Sequence, residues 1–234
     1  MATAATVSLP DEVTGILALP AGSGPHPGVL VLHEAFGLNA DIERITARFA
    51  DNGYVALAPD VFGPGWRPRC LISTFRDLKR GHGPAFDRVD TAGSWLAGRD
   101  DVDAGRVGVV GFCMGGGFAL LHAARAEIAV VAAYYGDVPK SAEPLRGMPP
   151  CFGGYGADDK LFAPQGVRLR SHLDELGVPS DVRVLPDVGH SYMNDVDNVL
   201  ARVGAKGPMK VAYDPTAAED SWERMLAWFA EHLG

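Results

Sequence analysis

An α/β fold, with a mostly parallel central sheet covered by helices on both faces, is what this sequence predicts. Two observations carry that prediction: apolar runs too short for helices recur along the chain, and amphipathic helical patterns lie between them. The runs are Val29 to His33, Tyr54 to Ala58, Val107 to Gly111, Ala129 to Tyr134, Cys151 to Tyr155 and Val182 to Leu185. Their near-continuous apolar character is that of strands buried on both faces. One helix is expected around Ile42, Ile45 and Phe49, stopped by Asn52-Gly53. Another is expected around Leu169, Leu173 and Leu176, between Pro164 and Gly177. The last has Trp222, Met225, Leu226 and Phe229 at i, i+3, i+4 and i+7 behind the acidic pair Glu219 and Asp220, and closes the fold.

Other segments are read from their punctuation. Val13 to Leu19 is expected to be an edge strand pairing with Val29 to His33 across the Pro- and Gly-rich turn Pro20 to Pro27. Phe62 to Pro84 reads as a cation-bearing excursion over the top of the sheet, with a short helix near Ser73 to Lys79. Ser191 to Pro215 is too long to be a structureless connection, so it is either functional or contains a helix.

With 234 residues, 47% of them hydrophobic and 21% charged, the chain can bury one sizeable core, and a single domain over 1–234 is expected. A net charge of −8 argues against a nucleic-acid partner, which demands concentrated Lys and Arg. The three cysteines, Cys70, Cys113 and Cys151, are odd in number and widely spaced, so neither a disulfide framework nor a CxxC pair is available. No signal-like or membrane-spanning apolar run is present. A cytoplasmic protein with no membrane partner is therefore expected, its oligomeric state left open.

The chemistry concentrates in Val107 to Gly117. There a β-run meets the glycine-framed Gly111-Phe112-Cys113-Met114-Gly115, and a helical segment, Phe118 to Ala126, follows. This is the strand, sharp turn and helix of a nucleophile elbow, with Cys where Ser is usual. The turn holds Cys113 at the carboxyl edge of the sheet and at a helix N-terminus, where the macrodipole is expected to lower the thiol pKa and the Met114 N–H to face a developing oxyanion. A catalytic triad further requires an acid and then a histidine. Asp158 and Asp159 follow the strand ending at Tyr155, and His190 follows the strand ending at Leu185. Each would sit at the sheet edge where open α/β folds bind ligands. The other histidines lack metal spacing: His33-Glu34 does not continue to HExxH, and neither GxGxxG nor GxxxxGK[ST] occurs. No metal and no cofactor is implied.

With Gly111-Phe112-Cys113-Met114-Gly115-Gly116, His33-Glu34-Ala35-Phe36-Gly37, Gly156-Ala157-Asp158-Asp159 and Gly189-His190 on the page, the sequence resembles the dienelactone hydrolase (carboxymethylenebutenolidase) family over nearly its whole length. That resemblance implies an α/β-hydrolase fold and a small-molecule ester or lactone substrate. It implies Cys113 as nucleophile, His190 as base and Asp159, the D of GxxD, as the acid that orients it. It further implies that Glu34 controls the ionisation of the thiol on substrate binding, and that the Ala35 and Met114 N–H groups form the oxyanion hole. Family members acting on dienelactone hold its carboxylate with arginines, one of them four residues beyond the catalytic histidine; this chain has Asn194 there. Arg67, Arg69 and Arg76 are the candidates for a replacement cation, and Tyr134, Tyr135 and Tyr192 for the pocket wall. The rival readings are a non-catalytic scaffold whose Cys113 serves a small-molecule receptor or thiol-based sensor, and a structural subunit with a vestigial site.

Overall fold

The computed structural model describes residues 2–196 and 199–234. Strands β1 (Ala4–Ser8), β2 (Thr14–Ala18), β3 (His26–Leu32), β4 (Val55–Pro59), β5 (Val102–Phe112), β6 (Val130–Tyr134), β7 (Cys151–Gly156) and β8 (Ser180–Leu185) form one sheet in the order β1-β2-β4-β3-β5-β6-β7-β8. From β4 through β8 all neighbours are parallel, whereas β1 and β2 are antiparallel. The predicted α/β class is therefore the observed one. Strand order reverses at β3, which has β4 on one flank and β5 on the other. The crevice outside the carboxyl ends of β3 and β5 is thus the topological switch point, where such sheets place ligands.

The helices are α1 (Ala40–Asp51), α2 (Arg67–Arg80), α3 (Pro84–Ala97), α4 (Met114–Ala123), α5 (Ala163–Leu176), α6 (Val199–Ala205) and α7 (Pro215–Leu233). Helix α1 starts where the Asn39 side chain accepts from Ile42 N at 3.0 Å, and α7 where Asp214 accepts from Thr216 N and Ala217 N. The two pack together through Phe49, whose ring lies 4.7 Å from Trp222 and 6.2 Å from Phe229. Helices α3 and α4 meet through Phe86 and Phe118, 4.6 Å apart. Consecutive β5 residues show that these pairs cover opposite faces. A Cβ on Gly108 would lie 3.1 Å from the Phe229 ring, whereas Val107 lines a cavity with α3 residues.

The structure corrects the expected pairing of Val13 to Leu19. Strand β2 lies between β1 and β4, and the edge belongs to β1. Both flanks of β3 are already taken by parallel partners, and β2 instead returns from β1 through a tight turn with Asp11 and Glu12 at φ 56° and 57°. Asp-Glu is not a usual pair for positive φ, so the hairpin left no sequence signal. Helix α2 is also longer than the predicted Ser73 to Lys79. It buries only Thr74, Asp77 and Leu78 while Ile72 and Phe75 stand exposed, so no apolar stripe announces it. Helix α4 begins at Met114, directly behind the elbow, and ends at Ala123 rather than Ala126. The Ser191 to Pro215 stretch contains α6. Among the described residues no helix is long and apolar enough to cross a membrane.

Phe229 joins α7 to α1 and to the sheet, so Phe229→Ala is expected to destabilise the fold by about 3–5 kcal/mol. Urea unfolding followed by far-UV circular dichroism measures it.

Candidate active site

The elbow is built from backbone contacts that only glycine permits. Cys113, between β5 and α4, has φ 52° and ψ −116°. Such a positive φ is costly for a residue with a Cβ and persists only where neighbours enforce it. The enforcement comes from close packing: a Cβ on Gly111 would lie 2.0 Å from Gly115 O, and one on Gly115 2.2 Å from Leu32 O. The first turn of α4 therefore lies directly on β5 and β3. Cys113 is half-buried, and the Met114 and Ala35 backbone N–H groups, from the start of α4 and the loop after β3, act on its sulfur in favour of the thiolate.

The acid and the imidazole come from the next two loops of the sheet. Gly189 lets the loop after β8 pass against residue 210, since a Cβ there would lie 1.9 Å from Lys210 O. His190 Nδ1 lies 2.6 Å from Asp159 Oδ2. Asp159 is fully buried, and its other oxygen accepts from Leu161 N at 3.0 Å and Phe162 N at 3.1 Å. With Nδ1–H donated to a carboxylate, Nε2 carries the lone pair, and among the described residues it has no hydrogen-bond partner. The ring is clamped between Tyr135 and Phe162, at centroid distances of 4.9 and 4.7 Å. Asp158, by contrast, points outward to Lys210 Nζ at 2.6 Å. The charge of Asp159 is felt at the Cys113 sulfur, as is that of Glu34.

Glu34 is buried; its Oε1 accepts from Ser191 Oγ at 2.5 Å and its Oε2 has no partner among the described residues. Burial pushes this carboxyl up to about 8, against the Ser191 hydrogen bond and with help from the charge of Asp41. At neutral pH it is mostly protonated. The Cys113 thiol is pushed up to about 12, first by burial and then by the negative charge of Glu34, with the two N–H groups acting in the opposite direction. This corrects the lowering expected from the helix N-terminus: desolvation of the thiolate and a facing carboxylate outweigh the dipole.

Of the candidate pocket residues, only Tyr135 and Arg67 are brought toward this cluster. Tyr135 packs on His190 and donates its hydroxyl to Asn194 Oδ1, while Asn194 Nδ2 donates to Asp41 Oδ2 at 2.8 Å. Tyr134 and Tyr192 turn instead to Ser221 of α7, at 3.2 and 3.0 Å, and are core pillars. Arg67 is exposed but lies beside Gly37, in the loop that carries Glu34 and Ala35. Arg69 lines a separate cavity with Trp66, Cys70 and Arg88, and Arg76 is exposed on α2. A cavity of about 140 Å³ adjoins the site, lined by Phe36, Ser191, Asn194, Arg202 and Tyr213, so the irregular stretch after His190 does shape it.

Sequence reasoning missed His33, Asp41 and Ser191. His33 accepts from Val61 N at 3.1 Å through Nε2 and therefore donates Nδ1–H to Glu34 O, 2.7 Å away, which fixes the Glu34 loop. Its adjacency to Glu34 was the one available signal. Among the described residues no group of three His, Cys, Asp or Glu side chains is disposed to hold a metal.

This geometry has close relatives. A Salmonella typhimurium protein provisionally named a carboxymethylenebutenolidase is 28% identical, over 96% of this chain and 84% of its own. Among solved structures, a dienelactone hydrolase-like promiscuous phosphotriesterase from metagenomic libraries superposes with a TM-score of 0.83 at 28% identity, covering 100% of this chain and 99% of that one. A Klebsiella pneumoniae protein provisionally titled a dienelactone hydrolase superposes with a TM-score of 0.79 at 26% identity, covering 98% and 99%. The dienelactone hydrolase family profile matches residues 13–233, and with the sheet order and elbow described above the chain belongs to that family of α/β-hydrolases.

Proposed function

We propose that this protein hydrolyses carboxylic esters or lactones through an acyl-thioenzyme, with Cys113 as nucleophile, His190 as base and Asp159 as the group that orients it. The observation that carries the reading is the buried Asp159–His190 pair, which leaves Nε2 bare at the same sheet edge as the elbow. His190 Nε2 takes the Cys113 proton as the sulfur attacks the carbonyl carbon. The tetrahedral oxyanion then takes the N–H groups of Ala35 and Met114 that the resting sulfur occupies. Collapse breaks the bond to the leaving oxygen, which receives the proton from His190. Water, deprotonated by the same imidazole, cleaves the thioester and releases the acid and the thiol.

The resting electrostatics suit a carbonyl substrate of modest stability. A thiol held near pH 12 is not a standing thiolate, so the nucleophile forms only with proton transfer to His190. Activated esters and strained lactones, whose leaving groups need little push, fit that limit better than amides. The receptor reading has less support, because nucleophile, base and acid are all present and two N–H groups converge on the sulfur.

Turnover of p-nitrophenyl acetate tests the proposal. Wild type is expected to release nitrophenol through many cycles, and Cys113→Ala and His190→Ala to lose at least about 1000-fold in kcat/KM. One equivalent released without turnover would establish the receptor reading instead. Asp159→Asn is expected to lose about 100- to 10,000-fold by disturbing the imidazole tautomer, and Asp158→Asn to stay near wild type because its partner is a surface lysine.

Thiol alkylation checks the electrostatics separately. Above pH 8 Glu34 is ionised and opposes the thiolate, so Glu34→Gln is expected to react faster with iodoacetamide than wild type at pH 9. Below pH 7, where Glu34 is already neutral, the two should react at similar rates. Equal rates at both pH values would show that Glu34 does not restrain the sulfur.

A further inference from the structure

Helix α2 turns a mixed face to solvent. Thr74, Asp77 and Leu78 make its buried contacts, and on the opposite side Ile72, Phe75, Arg76 and Lys79 stand exposed at i, i+3, i+4 and i+7. Trp66, the residue before the first turn, is 73% exposed and Ile72 63%. Three large apolar side chains, Trp66, Ile72 and Phe75, are thus left in water along one short segment. Single exposed apolar residues are ordinary on a protein surface, whereas a group of them marks a surface that meets another apolar one.

The exposed charges of the same helix are of one sign. Arg67, Arg69, Arg76, Lys79 and Arg80 all stand exposed, while the acid of α2, Asp77, is buried and its Oδ2 accepts from Ala85 N at 3.1 Å. Arg67 rests over the Phe62 ring, and Arg69, Arg76, Lys79 and Arg80 make no ion pair with a described residue. Lys79 and Arg80 also line, with Lys140, a cleft beside the helix, so the cationic surface continues past the end of α2. The carboxylate lining that cleft, Asp137, accepts from Gln165 Nε2 at 2.7 Å. In a chain of net charge −8 this face is a local reversal of sign.

We propose that α2 docks this protein on anionic phospholipid membranes, lying in the headgroup layer with Trp66, Ile72 and Phe75 inserted and the cations on lipid phosphates and carboxylates. Charge complementarity selects the partner: apolar side chains set among cations match negative headgroups over acyl chains. A bilayer also asks for no complementary shape, which suits one exposed helix face. A nucleic acid would need a stacking platform, and Ile72, in the middle of the stripe, offers none. The expectation of no membrane partner rests on the absence of a spanning run, which a helix lying on the surface does not require. The surface stands independently of the reaction assigned to Cys113.

Co-sedimentation of the full chain with lipid vesicles tests the surface. The protein is expected to bind vesicles of equal parts phosphatidylcholine and phosphatidylserine, to leave pure phosphatidylcholine vesicles unbound, and to be released as salt screens the charges. Arg76→Gln with Lys79→Gln should weaken binding about 25-fold, each cation being worth about fivefold. Ile72→Ser with Phe75→Ser should weaken it at least about tenfold by removing the inserted side chains. All four positions are exposed, and far-UV circular dichroism checks that both double variants fold. Equal binding to pure phosphatidylcholine, no binding to either vesicle, or double variants that bind like wild type would each overturn the proposal. So would a wild-type dimer in sedimentation velocity that Ile72→Ser with Phe75→Ser dissolves, because a second copy would then cover this face.

Discussion

The close approach of α4 to strands β3 and β5 is the constraint on which the rest of the site depends. Cys113 is held at φ 52° because the chain must turn from β5 into α4 within one residue, with the backbones of residues 111, 115 and 32 in contact. A strain of order 1–3 kcal/mol is carried there and is supported by a fully buried sheet centre. One consequence is that the sulfur stands between two peptide N–H groups belonging to different elements. Another is that any side chain at positions 111 or 115 would push α4 off the sheet and separate those N–H groups. Geometry at position 113 is therefore a property of the sheet packing and not of the cysteine.

Electrostatics then decides how that sulfur behaves. Burial of Cys113 and Glu34 together makes two separate negative charges unfavourable, and both groups are held protonated near neutrality. The thiol is protected at rest from the oxidants and alkylators that attack exposed thiolates. Asp159 holds His190 through Nδ1, and among the described residues His190 Nε2 has no hydrogen-bond partner. Ser191 and Asp41 adjust the same balance from opposite directions, the first by donating to Glu34 and the second by adding charge near it.

Much of this was legible in the sequence, for a physical reason in each case. The buried parallel strands betray themselves as continuous apolar runs, and the elbow as glycines flanking a nucleophile, because close backbone packing excludes other residues. The preference for Asp159 over Asp158 could not come from strand pattern, since both follow β7; it came from the GxxD spacing of the resemblance, and in the structure it is Asp159 whose side chain meets His190. Helix α2 was half-hidden because its outer face keeps Ile72 and Phe75 in solvent. Tyr134, Tyr135 and Tyr192 were indistinguishable by type, and the turn after β6 separates the first two: Tyr134 ends the strand and reaches Ser221, whereas Tyr135, at φ 40°, turns to Asn194 and His190. The sign of the thiol shift was misread because a helix N-terminus is visible in sequence while desolvation is not.

The two Asp–His pairs of this fold are alike in contact and differ in surroundings. Asp159–His190 and Asp90–His122 have near-identical contacts, 2.6 and 2.9 Å from Nδ1 to carboxylate, and each leaves Nε2 bare. The difference is position. The first lies at the carboxyl edge of the sheet, where the loops after β3, β5, β7 and β8 converge and where Cys113 is held in its strained turn. The second lies near the C-terminal end of α4, where the cavity wall offers Gly93, Ala97 and Val107 and no strained turn. Only one of the two pairs is therefore surrounded by sheet-edge loops, because topology gathers such loops at only one edge of a parallel sheet.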